Sequence, residues 1–104
     1  MPSIEQLEAL LQKDPDDVFL NFGLAMQLTR EQRYEEGLAR FDRVIGLDPN
    51  YIAAYHQKAQ TLVKMRNLKE AKRTLAAGIT AAERLGNKHA RSEMQELLDS
   101  LSLA

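Results

Sequence analysis

The sequence predicts an all-α repeat fold, and three observations support this prediction. The dipeptide Asp-Pro occurs at position 14 and again at position 48, and a fixed step of this length is typical of helical repeat arrays. Apolar residues recur at the three- and four-residue spacing of amphipathic helices instead of alternating. Asn-Gly and Asp-Gly hairpin signals are absent from the chain, so we expect no strands.

The apolar spacing and the turn residues predict six helices, at about residues 3–13, 16–30, 34–46, 51–65, 68–85 and 88–101. Ser3 and Gln6 form a capping box at the first of them. The prolines after Asp14 and Asp48 are expected in the first turn of the helices that follow. Glycine 86 ends the fifth helix.

Four further glycines fall inside the predicted helices, at positions 23, 37, 46 and 78. A glycine within a helix costs about 1 kcal/mol relative to alanine. We therefore expect close helix–helix approach at each of the four positions.

The step between the two Asp-Pro dipeptides relates a set of small and large apolar residues in two consecutive units. The step relates Ala25 to Ala59, Leu28 to Leu62, Gly37 to Ala71, Phe41 to Leu75 and Val44 to Gly78. Leu24 and the closing Pro49 also belong to the pattern in the first unit, and Tyr55 belongs to it in the second. Over nearly its whole length the chain resembles the tetratricopeptide repeat (TPR) family. It departs from the family pattern at Asn21, where tryptophan is frequent, and at Gln32 and Arg66, where glycine is usual in the turn between the two helices.

The resemblance implies a single TPR-like domain over residues 1–104, a short right-handed superhelical solenoid of antiparallel helix hairpins. It would comprise a half-repeat helix at 3–15, repeats at 18–51 and 52–85, and a capping helix at 88–101. Leu28, Phe41 and Leu62 are then expected to be buried between hairpins.

Members of the family generally act as scaffolds for peptides or protein surfaces, so the resemblance implies a non-catalytic protein–protein interaction module with a concave binding groove. The residues expected in this groove are Phe19, Phe22, Met26, His56, Gln57, Gln60, Lys88 and Arg91. For Phe19 the alternative is packing beneath the N-terminal helix, whereas Phe22 is expected to lie off the packing stripe.

Some members grip a C-terminal carboxylate with lysine, asparagine and arginine. This chain has Phe22, Met26, Gln57, Lys88 and Ser92 at those positions, and since only Lys88 matches, such a clamp is not expected.

The composition argues against several other classes of protein. There is no cysteine, so thiolate metal sites and disulfides are excluded. His56 and His89 lack the neighbours of a metal site, and no nucleophile or phosphate-loop motif occurs. We therefore expect no enzyme activity, no cofactor and no metal. The N-terminus does not resemble a signal peptide and no segment is apolar enough to span a bilayer, so a cytoplasmic protein is expected.

Charge is distributed unevenly and leaves two alternatives open. Residues 1–55 contain five Lys/Arg and ten Asp/Glu, whereas residues 56–91 contain nine Lys/Arg and two Glu. The basic segment suggests an acidic ligand or RNA, although the lack of a stacking aromatic argues against nucleic acid and for an acidic protein. The second alternative is a homodimer, in which the acidic half faces the basic segment of a twin, and Leu98, Leu101 and Leu103 provide surplus apolar surface on the last helix.

Overall fold

The computed structural model describes residues 2–103, which form six α-helices and contain no strand. The helices are α1 (Ile4–Lys13), α2 (Val18–Arg30), α3 (Tyr34–Leu47), α4 (Ile52–Lys64), α5 (Leu68–Arg84) and α6 (Lys88–Ser102). Both the all-α fold class and the number of helices predicted from the sequence are confirmed for the described residues.

Side chains that satisfy free backbone N–H groups fix the starts of four helices. Ser3 and Gln6 form the predicted capping box on α1. Asp17, Asn67 and Asn87 accept a hydrogen bond at the starts of α2, α5 and α6, respectively. The expectation that the two Asp-Pro prolines lie in a first helical turn is wrong. Both lie in turns, because Asp14 and Asp48 are the C-caps of the preceding helices, which a following proline cannot continue.

The turns that follow α2, α4 and α5 share one geometry. Each contains a residue at positive φ, namely Gln32 (62°), Arg66 (61°) and Gly86 (67°). The next residue donates its N–H to a carbonyl five positions back, as in Arg33 N–H to Leu28 O at 2.8 Å. This is the Schellman motif, in which glycine usually takes the left-handed position. The chain uses glycine there only after α5.

The chain divides into two compact units between Asp48 and Pro49. Unit 1 contains α1, α2 and α3, and α2 packs against both of the others. One apolar cluster joins α1 to α2 and consists of Ile4, Leu7, Leu11, Leu24 and Leu28, with Leu20 packed against it. Phe41 of α3 is fully buried, as the sequence predicts.

Unit 2 contains α4, α5 and α6, with α5 packed between the other two. Leu62, Leu75 and Met94 are buried in it. A Cβ built on Gly78 would lie 2.7 Å from both the Met94 sulfur and the Tyr55 Cβ. The missing side chain therefore lets residues from all three helices meet.

The expectation of close approach holds for some of the helical glycines and not for others. At Gly37 a Cβ would lie 2.5 Å from the Thr29 methyl, whereas at Gly23 it would meet Leu7 at an ordinary 3.6 Å. At Gly46 no atom lies within 4 Å, so the prediction is wrong there. Gly46 is on the exposed side of α3 and packing does not require it.

Helix α6 has one apolar stripe and one solvated face. The stripe comprises Ala90, Met94, Leu97, Leu98 and Leu101, at the spacing of a single helix face, and all five are partly or fully buried. Leu103 is the exception, because 89% of its surface is exposed. The expected apolar surplus on this helix is therefore wrong for Leu98 and Leu101, which the packing of unit 2 already uses.

Candidate functional site

The face of α2 presents the most exposed aromatic side chain among the described residues. Phe19 is 75% exposed, and Phe22 and Met26, three and seven residues further on, are partly exposed. The alternative that Phe19 packs beneath the N-terminal helix is wrong, since the buried cluster between α1 and α2 does not include it. The exposed parts of Phe19, Phe22 and Met26 follow one another along this helix face, and a contiguous exposed apolar surface, unlike a single exposed side chain, is a mark of interaction sites.

Phe22 contributes to both this face and the core. Its ring centroid lies 5.9 Å from that of Phe41, with the ring planes inclined by 59°, which is a favourable tilted aromatic pair. The expectation that Phe22 lies off the packing stripe is therefore wrong. The ring contacts α3 and keeps part of its surface accessible to solvent.

Unit 2 contains the other residues that the sequence singles out. His56, Gln57 and Gln60 lie on α4, and the His56 and Gln60 side chains are 3.2 Å apart at their Nε2 atoms. Lys88 and Arg91 lie on α6 and line one shallow cavity, together with Ala82, Glu83, Gly86 and Asn87. Arg91 donates to Glu83 at 3.0 Å, so a ligand would have to compete for its guanidinium.

Asn21 is a structural residue that analysis of the sequence recognised only as a departure from the family pattern. It is fully buried. Its Nδ2 donates to the carbonyl oxygens of Pro15 and Asp17 at 3.0 and 2.9 Å, and its Oδ1 accepts from Arg40 at 2.9 Å. The amide thus ties the turn before α2 to α3. The one indication of this role available in the sequence was the residue at the equivalent position of the next repeat.

That equivalent residue is Tyr55, whose hydroxyl donates to the Pro49 carbonyl at 2.7 Å. Pro15 and Pro49 are themselves equivalent positions of the two repeats, since each follows the aspartate of an Asp-Pro dipeptide. Two different side chains therefore hold the same turn carbonyl in the two units. The departure from tryptophan at this position keeps a hydrogen-bond donor.

No group of three or more His, Cys, Asp or Glu side chains between residues 2 and 103 is placed to hold a metal ion. Within the same range, no helix has the length and apolar character needed to span a membrane.

Comparison with known proteins identifies the repeat. A tetratricopeptide repeat family model matches residues 28–98, about two thirds of the chain. A TPR repeat-containing protein of Pseudomonas aeruginosa is 29% identical over 101 residues, which cover 97% of this chain and 96% of the relative.

Solved structures agree at the level of the fold. The TPR2B domain of yeast Sti1, solved in a complex with pHsp70, superposes with a TM-score of 0.87 at 23% identity, covering 96% of this chain and 80% of that one. PcrH, solved in complex with the chaperone-binding region of PopD, gives a TM-score of 0.89 at 16% identity, covering 96% and 76%. The repeated Asp-Pro step, the helix hairpins and the matched family model lead to the same conclusion. The chain belongs to the tetratricopeptide repeat family.

Proposed function

We propose that this chain is a non-catalytic module that binds a peptide or the surface of another protein through the exposed face of α2. The observation that carries the proposal is the exposure of Phe19, at 75% of its surface. Binding energy in protein interfaces concentrates in a few aromatic or arginine anchors. Phe19 is free to act as such an anchor, because the packing of unit 1 makes little use of it.

Phe22 and Met26 extend the apolar contact along the same helix, and each keeps part of its side chain accessible. Phe22 is a less suitable anchor than Phe19, since its ring is also held against Phe41. In unit 2, the amides of Gln57 and Gln60 and the cations Lys88 and Arg91 are suited to hydrogen-bond a peptide backbone or its carboxylates. Support for a protein partner also comes from the TPR neighbours that were solved in complexes with pHsp70 and with the chaperone-binding region of PopD.

The proposal is tested by selecting binders from a displayed library of random peptides with the wild-type chain. The affinities of the selected peptides are then measured by fluorescence anisotropy for wild type, Phe19→Ala and Leu103→Ala. The last is the matched control, because Leu103 is also a highly exposed apolar residue and lies outside the proposed surface.

We expect Phe19→Ala to weaken binding by about 1–3 kcal/mol, or roughly 5- to 150-fold, with an unchanged thermal melt. Leu103→Ala should leave the affinity as it is. Peptides that bind the Phe19→Ala variant as tightly as wild type would move the functional surface away from α2.

A further inference from the structure

The positive charge of unit 2 collects at the turn that joins α4 to α5. Lys64 ends α4, Arg66 occupies the left-handed position of the turn, and Lys69 and Lys72 lie in the first turns of α5. None of these four side chains makes a hydrogen bond or ion pair with another described residue, and all but Lys72 are well exposed. The first turns of α5 therefore present a cationic surface to solvent.

The carboxylates that lie nearest in sequence are already engaged. Glu70 accepts from Arg73 at 2.8 Å and Glu83 accepts from Arg91 at 3.0 Å, and these are the only two acidic residues between positions 56 and 91. Lys69 and Lys72 are thus left without a paired carboxylate. An exposed set of like charges attracts an acidic surface of another molecule.

Unit 1 has the complementary charge. Residues 1–48 contain ten Asp/Glu and five Lys/Arg, a net charge of −5. Residues 49–104 contain five Asp/Glu and nine Lys/Arg, a net charge of +4. Several unit 1 carboxylates have internal roles: Asp17 caps α2, Asp16 pairs with Arg43, and Glu36 pairs with Arg33. On α1, Glu5 and Glu8 are exposed and make no hydrogen bond or ion pair among the described residues.

The two charged surfaces have the same spacing. Glu5 and Glu8 are three residues apart on α1, and Lys69 and Lys72 are three apart on α5, so each pair lies on one face of its helix. Both faces continue into small exposed residues, Ala9 on α1 and Ala76 and Ala77 on α5. Small side chains let two helix axes approach to the roughly 8–10 Å typical of packed helices, which brings the opposite charges into contact.

We propose that the chain associates with a second copy of itself, with the Glu5/Glu8 face of α1 against the Lys69/Lys72 face of α5 of the other molecule. This inference is independent of the peptide-binding proposal, since it uses neither Phe19 nor the face of α2. A nucleic acid fits this surface less well. No aromatic residue follows Tyr55 to stack on bases, and the net charge of unit 1 repels a polyanion.

Association of this kind depends strongly on salt, because exposed charges are screened over about 10 Å at 0.1 M ionic strength and over less at higher salt. Sedimentation equilibrium of the wild-type chain in about 20 mM salt should give a mass that rises above the monomer with concentration. In about 0.5 M salt the association constant should fall by at least roughly tenfold.

Charge reversal identifies the faces. The variants Glu5→Lys/Glu8→Lys and Lys69→Glu/Lys72→Glu should each be monomeric at low salt, because like charges then meet. Mixed in equal amounts, they should associate again, since the basic α1 of one meets the acidic α5 of the other. Glu93→Lys/Glu96→Lys is the matched control, as it reverses two exposed carboxylates at the same spacing on α6 and should retain the association.

Circular dichroism of each variant verifies the fold, which substitutions at exposed or partly exposed surface positions should leave intact. The proposal is overturned by a wild-type chain that stays monomeric at low salt, by a mixture that fails to restore association, or by a control that abolishes it as fully as the α1 variant. Binding of a fluorescent single-stranded RNA provides a further test. If the RNA bound through Lys69 and Lys72 without dissociating a second copy, these lysines would not lie in an interface between copies, and the proposal would be overturned in favour of nucleic acid.

Discussion

Units 1 and 2 solve the same packing problem with different side chains. In both, the residue at the fourth position of the repeat's first helix donates a hydrogen bond to the proline carbonyl six residues earlier, but it is Asn21 in α2 and Tyr55 in α4. Asn21 needs Arg40 to satisfy its remaining oxygen, whereas Tyr55 packs its ring against the gap left by Gly78. The repeat thus keeps the hydrogen bond while its surroundings vary.

The two units differ more in charge than in geometry. The turns after α2 and α4 have the same left-handed residue position and the same five-residue hydrogen bond. After α2, Arg33 donates two hydrogen bonds to Glu36, at 2.9 and 2.8 Å, which lower the pKa of that carboxyl and raise the pKa of Arg33. The corresponding stretch after α4 is cationic. The fold therefore constrains the backbone of these turns and leaves their surface charge free.

The largest expected effect compares Phe41 with Leu75, its equivalent in the next repeat, and both are fully buried. Phe41→Ala should lower the free energy of unfolding by about 3–5 kcal/mol and Leu75→Ala by about 2–5 kcal/mol, as measured by urea denaturation. Phe41→Ala should exceed Leu75→Ala, because it also removes the ring partner of Phe22. An effect below about 1 kcal/mol at either position would be inconsistent with a core residue.

The burial of the core residues was predictable from the sequence, whereas the packing of Phe22 against Phe41 was not. Leu28, Phe41 and Leu62 follow from the helical period and the repeat step, which are local and repetitive signals. The tilt of Phe22 toward Phe41 depends on the space that α3 leaves beside α2. That space is set by contacts such as Gly37 against Thr29, and no periodicity encodes it.

The candidate site was predictable to a similar, partial degree. Phe19, Met26 and Gln57 could be assigned to helix faces by counting residues, and the exposure of Phe19 decided between its two alternatives. The engagement of Arg91 by Glu83 could not be predicted, because the two residues lie on different helices. Whether these residues form one binding groove stays a prediction.

An intermediate effect on stability is expected from substitutions at Asn21 and at its equivalent, Tyr55. Asn21→Ala removes the hydrogen bonds of the buried amide to the Pro15 and Asp17 carbonyls and from Arg40, and should cost about 1–3 kcal/mol of stability. Tyr55→Phe removes a single hydrogen bond and keeps the ring, so it should cost about 0.5–1.5 kcal/mol.

Thermal and urea unfolding of both variants measures the difference. Asn21→Gln is a useful control, because it keeps the side-chain amide donor and lengthens the side chain by one methylene group. If Tyr55→Phe proved more destabilising than Asn21→Ala, the two side chains would not be equivalent in the way that their shared partner carbonyl indicates.

The smallest expected effects come from the turns, and here they should have the opposite sign. A non-glycine residue in the left-handed region costs about 1–2 kcal/mol, from which the greater entropy that glycine loses on folding must be subtracted. Gln32→Gly and Arg66→Gly should therefore each stabilise the chain by about 0.5–1 kcal/mol. Because Gln32 carries no charge, its variant separates backbone strain from the loss of the Arg66 cation.

Two exposed glycines provide the converse test of the same strain. Neither Gly86 nor Gly46 has an atom within 4 Å of a built Cβ, so replacing either with alanine creates no clash. Gly86 lies at a φ of 67°, and Gly86→Ala should destabilise the chain by about 1 kcal/mol. Gly46 lies within α3, so Gly46→Ala should stabilise it by about as much through the higher helix propensity of alanine. Urea melts of the two variants should thus shift in opposite directions, and a common direction would show that backbone conformation does not control the effect of alanine at these two positions.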